Sequence, residues 1–236
     1  MNKLLTLTAV CLLIVFGWLV FIRSDVNDEN SKSDIESNQL EDETADIEQN
    51  ADFENRPALI IGSADAPVTL VEYADFKCPS CNQFHHGVGA QLRDEYIDSG
   101  RVRIEFRNYP FIGPDSGRAA RGSYCAYDQG FFPAYHDKIY NYVWDNYYSK
   151  GDMAAEFRDI LTVDTIVQIV ADDIRDMSTF SACLEDTTKN KFIDADLLLG
   201  ADDGVTGTPG FVIGGQKITG PSNYNTFKTL LDIQLR

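Results

Sequence analysis

EYADFKCPSCNQF, residues 72–84, sets Cys78 and Cys81 two residues apart, after an apolar run and before a stretch that can be helical. A pair so spaced is a metal clip, a structural staple or a thiol pair that trades electrons. Zinc would want a second CxxC or a His pair at set spacing. None is found, and the adjacent His85 and His86 point to different helix faces, so no metal is expected. Staple or redox pair then depends on the compartment and on what else completes a site.

Outward from the pair, Val68–Phe76 is β-branched and apolar enough for a buried strand, with Ala66-Pro67 marking the boundary before it. Pro79 suits the first position of a helix, where its missing N–H is one that a helix start leaves unpaired. The spacing predicts a helix from Ser80 to about Asp98, closed by Ser99-Gly100, and then a half-exposed strand over Arg101–Pro110, where charged and apolar residues alternate. Residues 115–199 lack strand alternation and read as several helices, one of them rich in aromatics (Tyr135, Tyr140, Trp144, Tyr148) that packing explains. Thr206–Gly220 reads as two short strands about a Gly214-Gly215 turn. Ser222 is the candidate N-cap of a closing helix.

At the amino end, Leu4–Ile22 is apolar apart from two threonines and a glycine, with Lys3 before it and Arg23 after. That is long enough for a transmembrane helix. It lacks the small-x-small end of a cleaved signal peptide. Residues 1–23 are therefore expected to be a short cytoplasmic stub and an uncleaved anchor. Ser24–Arg56 carries twelve Asp and Glu against two Lys and Arg, which accounts for −10 of the chain's net −17. It buries too little apolar surface to offset its ordering entropy, so a disordered acidic linker is expected over 24–56. Residues 57–236 are only mildly acidic and show no basic stripe, so nucleic-acid binding has no electrostatic footing.

Four cysteines lie beyond the anchor: Cys78, Cys81, Cys125 and Cys183. Four allow three pairings. The close spacing of the first two leaves Cys125 and Cys183 for each other, the alternative being four independent buried thiols. An even count behind an anchor suits an oxidising compartment outside the cytoplasm.

LVEYADFKCPSC, YCAYDQGFFPAYHDKIY, FSACLED and GVTGTPGFVIGG together resemble the DsbA-like branch of the thioredoxin superfamily, the extracytoplasmic thiol:disulfide oxidoreductases. The resemblance covers residues 58–236. It implies an α/β thioredoxin fold with an inserted α-helical domain over about 113–199, here preceded by the transmembrane helix and linker. It also implies Cys78 exposed at a helix start, Cys81 buried behind it, and a cis Thr208-Pro209 peptide facing the sulfurs. Glu72 occupies the place where the superfamily keeps a buried acid, which would relay a proton to Cys81; a solvent-facing strand residue is the plain alternative. Lys77 would either steady a Cys78 thiolate or be an exposed lysine without a role. A thiolate at a helix amino end meets unpaired N–H groups and the positive end of the dipole, which lowers its pKa.

The expected activity is oxidation of reduced secreted or periplasmic proteins through a mixed disulfide, with a DsbB- or VKOR-like quinone-linked membrane protein as reoxidase and no cofactor beyond the Cys78–Cys81 disulfide. The rivals are a reductase or isomerase of the same fold and a non-catalytic binding or chaperone module whose CxxC is structural. The catalytic domain is expected outside the cytoplasm, on a single-pass anchor.

Overall fold

The computed structural model describes residues 49–236, of which Asn50–Arg236 form one unit. The expected anchor and most of the expected linker lie outside the described residues. Among the described residues no helix is long and apolar enough to cross a membrane.

A five-stranded sheet carries the chain in the order β1-β3-β2-β4-β5, from β1 (Leu59–Ile61), β2 (Val68–Ala74), β3 (Val102–Asn108), β4 (Gly210–Ile213) and β5 (Gln216–Thr219). The central strand β2 runs parallel to β3 and antiparallel to β4. Its buried face places Glu72 level with Phe106 of β3 on one side and Phe211 of β4 on the other. The β4–β5 turn has Gly214 and Gly215 both at positive φ (53° and 78°), the pair that a two-residue hairpin turn demands. In β3 the predicted alternation holds residue by residue, each second side chain being buried.

Helix α1 (Pro79–His86) follows β2 after a short loop, and α2 (Val88–Leu92) follows after a break at Gly87. The last turn, Arg93–Ile97, is π-helical. The single helix predicted over 80–98 is thus three pieces. Phe84 anchors the first of them on Phe211 and Phe227, with ring centroids 4.5 and 5.5 Å apart.

Between β3 and β4 lie α3 (Pro114–Asp128), α4 (Phe132–Asn146), α5 (Val163–Val170), α6 (Met177–Glu185) and α7 (Asn190–Asp202), and α8 (Tyr224–Gln234) closes the chain. Fully buried Tyr124, Tyr135, Tyr140, Phe132 and Phe180 fill the interior of this helical block. Gly122 lets α3 and α4 approach, since a Cβ there would stand 2.2 Å from the Tyr135 hydroxyl. Cys125 on α3 and Cys183 on α6 are joined by a disulfide with Cα atoms 5.9 Å apart. The cap of α8 is Asn223, whose Oδ1 accepts from the Thr226 N–H at 3.1 Å, one residue beyond the predicted Ser222.

The folded unit also takes in residues that composition assigned to the linker. Asp52 donates its N–H to the Lys191 carbonyl (3.0 Å) and pairs with the Lys191 ammonium (2.9 Å). Arg56 forks between Glu105 (2.7 Å) and the fully buried Asp196 (3.0 Å). A charge-rich composition argues against burying apolar surface, but it does not prevent a terminal arginine from meeting two carboxylates.

Candidate active site

Cys78 is the N-cap of α1, in extended backbone (φ −64°, ψ 126°), with Pro79 in the first turn. The loop is held on both sides. The Cys78 N–H donates to the Asp75 carbonyl at 3.0 Å. The buried Asn82 amide donates to the carbonyls of Phe76 (2.9 Å) and Cys78 (3.0 Å). Opposite, the Thr208-Pro209 peptide is cis, and the Cys78 thiol donates to the Thr208 carbonyl at 3.6 Å. Both cysteines are free thiols. Cys78 is only 5% exposed, less open than the resemblance implied, because the Thr208 segment lies across it; Cys81 is fully buried.

The two thiols differ sharply in acidity. Cys78 is lowered to about 7, chiefly by the hydrogen bond from the Cys81 thiol, against the opposing effect of burial; the Thr208 side chain and the Cys81 backbone N–H add to the lowering. That N–H belongs to the first turn of α1, so the helix start contributes as its geometry predicts. Burial first, and then the hydrogen bond it gives to Cys78, hold the Cys81 thiol well above the ordinary thiol range. A nucleophilic thiolate and a protonated partner at neutral pH are the two halves of thiol–disulfide exchange.

Glu72 is 3% exposed, and burial between the phenylalanines of its neighbouring strands pushes it up to about 8, with the Arg93 charge pulling the other way. It is a buried acid, not a solvent-facing strand residue. The Tyr140 hydroxyl has no hydrogen-bond partner among the described residues, and burial first holds it well above the ordinary tyrosine range. The Thr208 hydroxyl is buried too, beside the two sulfurs, and lowers the pKa of both thiols.

Lys77 differs from both sequence expectations. It is 2% exposed, and its ammonium pairs with the buried Asp115 carboxylate at 2.7 Å, turned toward the helical block and away from solvent. Asp115 also accepts the Ile160 N–H at 3.0 Å, and the Lys77 carbonyl accepts from the Tyr148 hydroxyl at 2.5 Å. Asp75 accepts from the N–H groups of Lys77 (2.8 Å), Phe111 (3.1 Å) and Ile112 (3.3 Å). These contacts bolt the CxxC loop to the helical insertion. Sequence reasoning missed Asp75, Asn82 and Asp115. Asp115 stands 38 residues from its partner, and no spacing rule joins the two.

Comparison with known proteins agrees with this geometry. A family profile described as Thioredoxin matches residues 54–233. Probable disulfide bond formation protein D of Bacillus anthracis is 37% identical over 144 residues, 59% of this chain and 58% of that protein, so the match spans under two thirds of the relative's length. BdbD of Bacillus subtilis in its oxidised crystal structure superposes with a TM-score of 0.66 at 24% identity, covering 75% of this chain and 92% of that one. The Wolbachia pipientis alpha-DsbA1 structure gives 0.61 at 22% identity, over 80% and 95%. The matched profile shows that the chain belongs to the thioredoxin family, and its sheet order, with the helical block between β3 and β4, gives it a fold similar to those BdbD and alpha-DsbA1 structures.

Proposed function

We propose that the chain is an extracytoplasmic thiol:disulfide oxidoreductase that works as an oxidase. The observation that carries this is the asymmetry of the two sulfurs, Cys78 lowered to about 7 and Cys81 held well above the ordinary range. In the oxidised protein a substrate thiolate attacks Cys78 Sγ, the Cys78–Cys81 bond breaks, and Cys81 leaves as a thiolate that takes up a proton. Glu72, protonated below about 8, is the acid that relays it. A second substrate thiolate then attacks the substrate sulfur of the mixed disulfide and releases Cys78 as a thiolate. The substrate loses two electrons and gains a disulfide, and the protein keeps the electrons as a dithiol. Thr208 and Pro209 face the sulfurs and shape the surface that receives the substrate chain.

The substrates under this proposal are reduced secreted proteins, and the electrons pass to a quinone-linked reoxidase in the membrane that the apolar segment Leu4–Ile22 enters. The names of the relatives, which speak of disulfide bond formation, and the Cys125–Cys183 disulfide support an oxidising compartment. One observation favours the reverse direction: a nucleophile near 7 is close to that of thioredoxin, about 7, and well above that of DsbA, about 3.5. A single assay separates the two. The oxidised full chain is mixed with a reduced, unfolded secreted protein and the substrate's thiols are counted. One disulfide formed per chain reduced is expected. No transfer, together with rapid insulin reduction by the reduced chain, would make it a reductase.

A further inference from the structure

His85 and His86 leave the active-site helix without a part in the exchange chemistry, and the fold gives them different surroundings. The His86 ring stacks on Trp144 with centroids 4.7 Å apart. His85, one turn after Cys81, turns toward α4, where it stacks on Tyr140 (4.8 Å) and stands 5.1 Å from the ring of His136. One side-chain donor atom from each of His85, His136 and Asp137 lies within 4.8 Å of the others. His136 is 2% exposed; its Nδ1 is 3.0 Å from Asp137 Oδ1, and its Nε2 has no hydrogen-bond partner among the described residues. The same Asp137 oxygen accepts from Arg93 Nη2 at 2.8 Å.

Two imidazoles and a carboxylate are a donor set for zinc and its borderline neighbours, and not for calcium or magnesium, which take oxygen. With Zn–N bonds of about 2.0–2.1 Å, two imidazoles on one tetrahedral ion have ring centres roughly 5 Å apart. His85 and His136 already stand at that spacing. Phe76 and Phe106 set their ring centroids 5.9 and 5.0 Å from that of His136 and close the site on the inner side. Asp137, whose side chain is 36% exposed, leaves the outer side open for a water. Donor atoms on a filled zinc site are about 3.3 Å apart, so closing this set takes rotations of the half-buried His85 and Asp137 side chains.

We propose that His85, His136 and Asp137 form a binding site for a zinc-class divalent ion, with its remaining position open to water, that clamps the active-site helix α1 to α4 of the insertion. The site is independent of the direction in which the cysteines trade electrons. Arg93 competes with the ion for Asp137, so its removal should strengthen binding, a gain that a merely damaged fold does not produce.

The test uses the full chain with Cys78 and Cys81 oxidised, so that the thiols cannot take the metal. Zinc is measured by equilibrium dialysis, and cobalt by its visible absorption. One zinc per chain is expected, with a cobalt spectrum of a four- or five-coordinate nitrogen and oxygen site and a rise in Tm that magnesium does not give. Asp137→Asn and His136→Gln should each weaken zinc binding by more than about tenfold, and Arg93→Ala should tighten it. No zinc held at tens of micromolar free ion would overturn the proposal. So would binding that both ligand variants leave undiminished, which would put the ion on the acidic segment Ser24–Arg56 or elsewhere.

Discussion

The lowered pKa of Cys78 makes the stability of the reduced protein depend on pH in a way that the oxidised protein cannot share. A thiol whose folded value is depressed contributes stability that is fully present above its unfolded value and is lost as pH falls through its folded value. From 9.0 to about 7, that contribution is about 0.4 kcal/mol at pH 7 and about 1.4 kcal/mol at pH 8, fading to nothing below pH 6. Glu72 titrates in both redox forms and largely cancels in their difference. Cys81 begins to offset the gain only near pH 9, where the unfolded chain would ionise it and the folded chain does not. Calorimetry of the two forms, with Cys125–Cys183 intact in both, should show the reduced-minus-oxidised Tm rising by about 2–4 °C between pH 7 and pH 8, at 2–4 °C per kcal/mol for a domain of this size. Because the Cys81 thiol is the largest cause of the lowering, reduced Cys81→Ala should lose much of its rise in Tm over the same interval. A redox difference that stays flat from pH 6 to pH 8.5 would mean that Cys78 is not held as a thiolate in the fold.

Asp115→Asn leaves the Lys77 ammonium, whose side chain is 3% exposed, without its countercharge, and should cost about 3–5 kcal/mol in urea unfolding. Adding Lys77→Met should recover most of that loss, since Asn keeps an acceptor for the Ile160 N–H; no recovery would mean the pair is not the cause. Replacing Cys125 and Cys183 with Ala opens a link across 58 residues, worth roughly 4 kcal/mol by chain entropy, and should spare oxidation of a test protein. Lost turnover with stability kept would make that disulfide a redox relay. Glu72→Gln should raise stability at pH 7, because it removes a carboxyl held up at about 8 by burial, and should slow formation of the mixed disulfide, the step in which Cys81 leaves, on the order of 100-fold. Stopped-flow formation at wild-type rate would remove Glu72 from the mechanism.

The place of the CxxC pair, its strand and its helix start were legible because their signals are local. Strand β2, the N1 proline and the hairpin turn each follow from a few adjacent residues. Where the cause is distant, the sequence is silent. Strand β1, at three residues, is too short for any alternation to show, and it exists because β3 offers it an antiparallel partner. The π turn at Arg93–Ile97 depends on which carbonyl each N–H reaches, which side-chain periodicity does not report. Lys77 read as a partner for a Cys78 thiolate or as an exposed lysine, because lysine usually sits at the surface; only the fold brings Asp115 to it. The same holds for His85: zinc needed partners that spacing could not supply, and α4 brings them from elsewhere in the chain.

Disulfide exchange by this chain requires one nucleophilic sulfur and one silent one. The reduced protein, with Cys125–Cys183 intact, is treated with iodoacetamide across pH 5 to 9, and the label is located and timed by peptide mass spectrometry. Cys78 should take the label first at every pH, with a rate that reaches half its plateau at about pH 7, while Cys81 remains unlabelled until the protein unfolds. Label arriving first on Cys81, or a Cys78 midpoint at the ordinary thiol value of 9.0, would contradict it.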